Sequence, residues 1–105
     1  MAKRRLVFSD AAIADILEQA DWYRKQSGSR LARRWEKAVT AAILLVSRRP
    51  AIGALCSFHS SELHDLRRAT ISGFPKHLLF YRYDDEGLLV LRVVHGARDL
   101  ERLFS

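Results

Sequence analysis

Residues 77–95 read His-Leu-Leu-Phe-Tyr-Arg-Tyr-Asp-Asp-Glu-Gly-Leu-Leu-Val-Leu-Arg-Val-Val-His, and they set the architecture of the chain. The first part, His77 to Tyr83, is rich in aromatic and aliphatic residues, which favours a β-strand. The last part, Leu88 to His95, is the most apolar strand candidate, and we expect it to lie centrally in a sheet. Between them, Asp84 to Gly87 predicts a turn in which Gly87 takes a positive φ. The stretch is therefore an antiparallel β-hairpin.

The residues before this hairpin extend the same sheet. Glu62 to Ile71 is a weaker strand candidate because it is polar for its length. Ser72 to Pro75 predicts the turn that joins it to the hairpin. Residues 51–61 show no apolar period, so we expect a loop there. Together these segments predict a three-stranded antiparallel meander.

Residues 9–50 carry the pattern of two helices. Ser9 and Asp10 are typical of a helix start, and Ser27-Gly28 of a helix end. Ser29 can cap a second helix at once, and Pro50 ends it. The apolar residues of both segments recur every three or four positions: Ile13, Ile16, Leu17, Ala20 and Tyr23 in the first, and Leu31, Trp35, Ala38, Val39, Ala42, Ile43 and Val46 in the second. Because only a couple of residues join them, the helices must form an antiparallel hairpin.

The two ends of the chain complete the predicted fold. Arg4 to Phe8 is a short strand, which we expect at a sheet edge or beside the last strand. Asp99 to Phe104 predicts a short helical turn. The chain is thus predicted to be an α+β domain spanning residues 1–105, with an N-terminal strand, an antiparallel α-hairpin and the meander.

Composition excludes several classes of protein. The chain has 105 residues, of which 49% are hydrophobic and 29% charged, as in ordinary globular domains. No apolar run approaches the roughly 20 residues that span a bilayer, and we find no secretory signal. Cys56 is the only cysteine, so the chain can form neither an internal disulfide nor a multi-cysteine metal site. We expect a cytoplasmic protein without metal or cofactor.

The net positive charge of the chain comes from its first half. Residues 1–50 hold eleven basic and five acidic residues, whereas residues 51–105 hold seven of each. Four of the basic residues share one face of the second predicted helix: Arg30, Arg33, Arg34 and Lys37. This stripe is either a solvated helix face or a surface that attracts an acidic partner. We do not expect direct sequence-specific binding to nucleic acid, because no aromatic-interleaved platform accompanies the charge.

Four motifs resemble those of one known family. They are residues 49–53 (Arg-Pro-Ala-Ile-Gly), residues 62–67 (Glu-Leu-His-Asp-Leu-Arg), residues 73–82 (Gly-Phe-Pro-Lys-His-Leu-Leu-Phe-Tyr-Arg) and residues 91–99 (Leu-Arg-Val-Val-His-Gly-Ala-Arg-Asp). In this combination the chain resembles the RelE/ParE superfamily of type II toxin–antitoxin toxins, on the ParE side. The resemblance covers almost the whole chain, and its last motif is the most specific.

The resemblance implies a small bacterial cytoplasmic toxin of a plasmid-stabilisation type system, neutralised by a ParD-like antitoxin whose acidic segment covers the helical hairpin and a sheet edge. ParE-like toxins generally inhibit DNA gyrase by binding, so the resemblance implies a toxin that is not itself an enzyme. Two alternatives stay open. One is a ribosome-dependent mRNA interferase of the RelE type, and the other is a binding remnant that has lost toxicity.

The residues of a RelE-type ribonuclease site are largely missing. The strand that should carry paired lysines reads Leu63-His64-Asp65, and the expected C-terminal tyrosine falls near Phe104. Cleavage by 2′-hydroxyl attack needs a base, an acid and cations around the phosphate. Only weak catalytic candidates can be named: His64, Arg67, His95 and Arg98.

Three further residues are candidates for contact with the antitoxin or the target. Trp22 neighbours Tyr23, and the two cannot point the same way on a helix. We expect both in the core, but an exposed Trp22 would be a partner anchor. Arg98 and Asp99 follow the last strand. They either contact a partner or pin the C-terminus through a cap and a salt bridge.

Overall fold

Two long helices and a five-stranded sheet form the computed structural model, which describes residues 5–96 and 100–104. The helices are α1 (Asp10–Ser27) and α2 (Ser29–Arg48). The strands are β1 (Arg5–Phe8), β2 (Ala54–Leu55), β3 (Arg67–Thr70), β4 (His77–Tyr83) and β5 (Gly87–His95). Short 3₁₀ turns cover Pro50–Ile52, Ser61–Leu63 and Glu101–Phe104. The predicted α+β class is confirmed.

The sheet order is β1-β5-β4-β3-β2. Strands β2 to β5 pair antiparallel, while β1 pairs parallel with β5 because the helical hairpin carries the chain back across the sheet. The first strand therefore lies both at an edge and beside the last strand. Strand β5 has neighbours on both sides, although β4 occupies the middle position.

A β-bulge in β5 receives the start of α1. Phe80 pairs with Arg92 and Tyr81 with Val90, so Leu91 is the extra residue. The Ser9 hydroxyl donates a 2.7 Å hydrogen bond to the carbonyl of Leu91 and accepts one from the amide of Ala12. The predicted N-cap thus also ties α1 to the bulge, which explains how a local helix signal fixes a long-range contact.

The main core lies between the helical hairpin and one face of the sheet. Trp35 is fully buried at its centre, and the Trp35 indole N–H donates to the carbonyl of Ile16, which joins the helices. A second cluster covers part of the opposite sheet face. There Leu66 and Phe80 pack beneath Phe58 and the C-terminal turn, which includes Phe104.

The turn after α2 is locked onto the sheet by one phenol. The Tyr81 hydroxyl donates to the carbonyl of Pro50 at 2.6 Å and accepts from the amide of Gly53 at 2.9 Å. A Cβ atom at Gly53 would clash with Tyr81 and approach the carbonyl of Arg68 to 2.9 Å. Arg67 adds hydrogen bonds to the carbonyls of Ala51 and Gly53. Residues 49–53 are therefore a structural junction.

Several sequence-based boundaries were wrong. The weak strand predicted over residues 62–71 is only Arg67–Thr70, because Ser61–Leu63 forms a 3₁₀ turn. The predicted loop over residues 51–61 contains β2, which extends the three-stranded meander to four strands. Ser29 makes no capping hydrogen bond, and Gly28, at φ 90°, separates the helices.

The prediction for Gly87 was also wrong, since only Gly28 and Gly73 have positive φ among the described residues. Asp84 closes the hairpin instead, accepting hydrogen bonds from the amides of Glu86 and Gly87. A Cβ atom at Gly87 would lie 2.7 Å from the carbonyl of Arg5. Glycine is needed there because β1 approaches closely.

The predicted C-terminal helical turn is present as Glu101–Phe104, whereas Asp99, the expected first residue, lies outside the described residues. Within residues 5–96 and 100–104, neither helix is apolar enough over its length to cross a bilayer.

Candidate interaction surfaces

The four cations predicted on one helix face do lie together. Arg30, Arg33, Arg34 and Lys37 are all solvent-exposed and line one shallow depression on α2. Among the described residues, none of the four pairs with a carboxylate. We call this set the basic face. It carries four positive charges that the described part of the fold leaves uncompensated.

The basic face continues into apolar surface along the same helix. A shallow groove runs from Arg33 and Lys37 past Thr40 and Ala41 to Leu44. The Leu44 side chain is 47% exposed, and the adjacent Leu45 is exposed to the same extent. The outer side of α2 therefore carries the basic face in its first half and exposed Leu44 in its second, and Glu36, which pairs with Arg24, also lines the groove between them.

Trp22 lies outside the core, so the expectation of a buried Trp22 was wrong. Its side chain is 55% exposed and meets Tyr23 edge-on, with ring centroids 5.6 Å apart. Tyr23 instead points inward, against Trp35 and Phe74. Adjacent residues on a helix point about 100° apart, so only one of the two rings can face the core.

An open cleft of about 710 Å³ lies beside Trp22, between α1, the turn before β4 and the ends of β4 and β5. Its ring-bearing walls come from Trp22, Tyr23 and Phe74, with Pro75 alongside. The two histidines His77 and His95 line its other side. We call this the Trp22 cleft. It has the size and mixed lining of a ligand-binding site.

His77 and His95 face each other across the β4–β5 ladder. They are register partners, and their ring centroids are 5.5 Å apart. His77 is buried against Trp35, at 4.8 Å between ring centroids. Burial lowers the pKa of His77, and the nearby His95 lowers it further. His77 is therefore a neutral imidazole at pH 7.

An ion pair fixes α1 against β5 at the edge of the Trp22 cleft. The Arg92 guanidinium donates two hydrogen bonds to the Asp15 carboxylate, at 2.7 and 2.8 Å. Asp15 also accepts from the amide of Val93 at 3.0 Å. Glu18 and Lys76 supply the other charges of the lining. Acidic and basic residues of the cleft lining therefore balance, unlike those of the basic face.

The weak catalytic candidates are spread over different parts of the fold. His64 is exposed, with Nδ1 2.6 Å from the carbonyl oxygen of Ser61. Arg67 is engaged with backbone carbonyls and lies over the Tyr83 ring. Among the candidates that the structure describes, His95 is the one that lines the Trp22 cleft. Arg98 and Asp99 lie outside the described residues.

Sequence reasoning did not identify the Trp22 cleft, the pairing of His77 with His95 or the Asp15–Arg92 pair. One usable signal was present: in a hairpin that turns at residues 84–87, His77 and His95 fall close to opposite positions. The Asp15–Arg92 contact had no such signal, because it depends on how α1 packs on the bulge.

Comparisons with known proteins agree with this architecture. A family model described as "ParE toxin of type II toxin-antitoxin system, parDE" matches residues 6–100. A solved structure titled "Chromosomal ParDE TA system from P. aeruginosa" is similar in fold, with a TM-score of 0.72 and 16% sequence identity. The match covers 89% of this chain and 96% of that one. The search of curated proteins found no match. Because the family match spans nearly the whole chain, the protein belongs to the ParE toxin family of type II toxin–antitoxin systems.

Proposed function

We propose that this ParE-like toxin is neutralised by a ParD-like antitoxin and, once released, inhibits DNA gyrase by binding it in the bacterial cytoplasm. The basic face is the main observation that supports binding of an antitoxin. Four exposed cations on one helix, without carboxylate partners in the described structure, suit an acidic segment of a partner protein.

The apolar half of α2 indicates what else that antitoxin segment must offer. Leu44 and Ala41 continue the basic face along the helix axis, so a partner helix with acidic residues followed by apolar residues would match both halves. Charge would speed the encounter and fix the register, while burial of Leu44 would supply affinity.

A sheet edge offers a second contact for the same antitoxin. Within the described residues β1 pairs with β5 alone, which leaves its other side open to an added strand. Leu6 and Val7 on this strand are 40% and 45% exposed. Addition of an antitoxin strand here would satisfy the edge hydrogen bonds and cover both side chains.

Two uses of arginine support binding rather than RNA cleavage as the toxic activity. Arg67 donates to the carbonyls of Ala51 and Gly53, and Arg82 pairs with Asp65 at 3.0 Å. A guanidinium that is already hydrogen-bonded or ion-paired within the protein is less able to neutralise a phosphate during cleavage. Membership of the ParE toxin family supports gyrase as the proposed target.

The test is induced expression of the toxin with and without the protein encoded beside it, which we expect to be a small DNA-binding protein with an acidic tail. Expression alone should produce DNA breaks that disappear in cells carrying a toxin-insensitive gyrase, and co-expression should prevent them. Cuts in ribosome-bound mRNA with replication intact would overturn the proposal in favour of an interferase. Harmless expression alone would indicate a non-toxic remnant.

A further inference from the structure

The Trp22 cleft and the basic face lie on different sides of the helical hairpin. Residues of α1 that line the cleft recur at i, i+3, i+4 and i+7: Asp15, Glu18, Gln19 and Trp22. The opposite side of α1 faces α2, as the ion pair between Arg24 and Glu36 shows. A partner bound along the outer side of α2 therefore does not have to cover the cleft.

We propose that the Trp22 cleft is the target-binding surface, and that it receives an uncharged aromatic side chain presented by a loop of the target protein. This assignment rests on the proposed function, under which the target is gyrase and the antitoxin takes the basic face. It gives the toxin two surfaces of different chemistry for its two partners.

The walls of the cleft suit an aromatic ring. Trp22 is exposed on one side and meets Tyr23 edge-on on the other, so Tyr23 supports the indole before any partner arrives. Tyr23 is itself held by Trp35 and Phe74. Rings pack edge-to-face or offset, which this arrangement permits without moving the core. A pre-positioned indole is the residue type most often found at the energetic centre of protein interfaces.

The charges of the cleft favour an uncharged occupant. Asp15 is neutralised by Arg92 through two hydrogen bonds, and Glu18 is balanced by Lys76 in the lining. His77 is neutral at pH 7, so its ring can offer a hydrogen bond without adding charge. An acidic antitoxin segment gains nothing here that the basic face does not offer more strongly.

A nucleobase could also stack on Trp22, but the balanced charges argue against nucleic acid. Binding of single strands combines stacking with a positively charged groove that follows the phosphates. The cleft supplies Lys76 and Arg92, but Arg92 is paired with Asp15 and the lining holds as many acidic as basic residues. A protein loop needs no such groove, and the cleft volume of about 710 Å³ accommodates a ring with its flanking backbone.

The experiment measures two affinities for each of four purified toxins: wild type, Trp22→Ala, Trp22→Phe and the triple variant Arg30→Glu/Arg33→Glu/Arg34→Glu. One partner is gyrase and the other is the antitoxin. Trp22→Ala should weaken gyrase binding by at least about 30-fold, the size expected at an interface hot spot. Its antitoxin affinity should stay within about threefold, and Trp22→Phe should recover most gyrase binding. The triple variant should show the reverse pattern.

Because Trp22 is exposed, its substitution should leave the thermal unfolding midpoint of the toxin close to that of the wild type. Measurement of this midpoint for each variant checks that the fold is intact. Wild-type gyrase affinity in Trp22→Ala would overturn this assignment while leaving the proposed function standing. A loss of antitoxin binding instead would show that the antitoxin occupies the cleft. Trp22-dependent binding of a single-stranded oligonucleotide would replace the protein loop with nucleic acid. Failure of the wild type to bind gyrase would reject the proposed function, and this assignment with it.

Discussion

At the scale of single residues, a few side chains do the work of joining elements that are distant in sequence. Ser9 caps α1 and holds the bulge carbonyl of Leu91, and Asp15 holds Arg92 and the amide of Val93. Tyr81 closes the junction after α2. Each satisfies backbone groups that would otherwise be buried without partners, which is costly in a domain with a small core.

Substitution of Tyr81 by Phe tests the junction. The change leaves the carbonyl of Pro50 and the amide of Gly53 without their buried partner, so unfolding free energy should fall by about 2–4 kcal/mol. Urea denaturation measures the change. Tyr23→Phe is the matched control, because its hydroxyl bonds to Gln19 on the same helix and its loss should cost under about 1 kcal/mol. If both variants lose the same unfolding free energy, the Tyr81 hydroxyl does not stabilise the junction more than an ordinary surface hydrogen bond does.

Protonation of His77 should make the protein less stable in mild acid. Burial and the neighbouring His95 lower the pKa of His77 below its ordinary value of 6.5. The unfolded chain therefore binds a proton at a higher pH than the folded one. The contribution of His77 to the unfolding free energy should be fully present above about pH 7.5 and be lost as the pH drops through 6.5 toward the lowered value. Urea melts at pH 7.5 and pH 5.5 measure this loss.

The control for this pH dependence is His64, which is exposed. His77→Gln should reduce the difference in stability between pH 7.5 and 5.5, whereas His64→Gln should leave it as in the wild type. If His77→Gln loses as much stability between pH 7.5 and 5.5 as the wild type does, a group other than His77 causes the pH dependence.

At the scale of elements, helix α2 packs against the core with one side and exposes a distinct surface on the other. Its inner side supplies Trp35, Val39 and Val46 to the core. Its outer side is the basic face followed by the apolar surface around Leu44. A helix that only needed to be soluble would not require cations in one block and exposed leucine in the next.

Reversal of three charges on the basic face tests its role as an antitoxin surface. The variant Arg30→Glu/Arg33→Glu/Arg34→Glu should associate with the antitoxin at least about tenfold more slowly in low salt, and its association rate should depend less on salt. Stopped-flow kinetics measure both. The matched control is Lys25→Glu/Arg48→Glu/Arg68→Glu, which makes the same change in net charge at scattered exposed positions. Equal slowing in the control would show that only net charge matters.

The elements also show where sequence reasoning succeeds and where it stops. The bounds of α1, the strand His77–Tyr83 and the face shared by Arg30 and Lys37 follow from local patterns of capping, composition and spacing. Strand β2 is only two residues long and has no periodicity to detect. The exposure of Trp22 depends on which of two adjacent rings meets Phe74, a contact made across the fold. The Trp22 cleft could not be predicted for the same reason.

At the scale of the whole molecule, we propose a toxin that acts by binding and that has separate surfaces for its two partners. Helix α2 gathers four cations on the basic face, while the lining of the Trp22 cleft holds equal numbers of acidic and basic residues. This division lets an acidic antitoxin bind tightly without resembling the target. If the two surfaces are separate, a substitution on one of them should weaken binding to one partner and leave binding to the other unchanged.

The most direct test of the central claim is a reconstituted reaction of purified toxin, gyrase, ATP and supercoiled plasmid, from which cleaved plasmid is quantified after denaturation. We expect linear plasmid to accumulate with toxin concentration, to require gyrase and to be absent when an equimolar amount of antitoxin is added. Intact plasmid, together with cleavage of mRNA on purified ribosomes by the same toxin, would contradict a toxin that acts by binding gyrase.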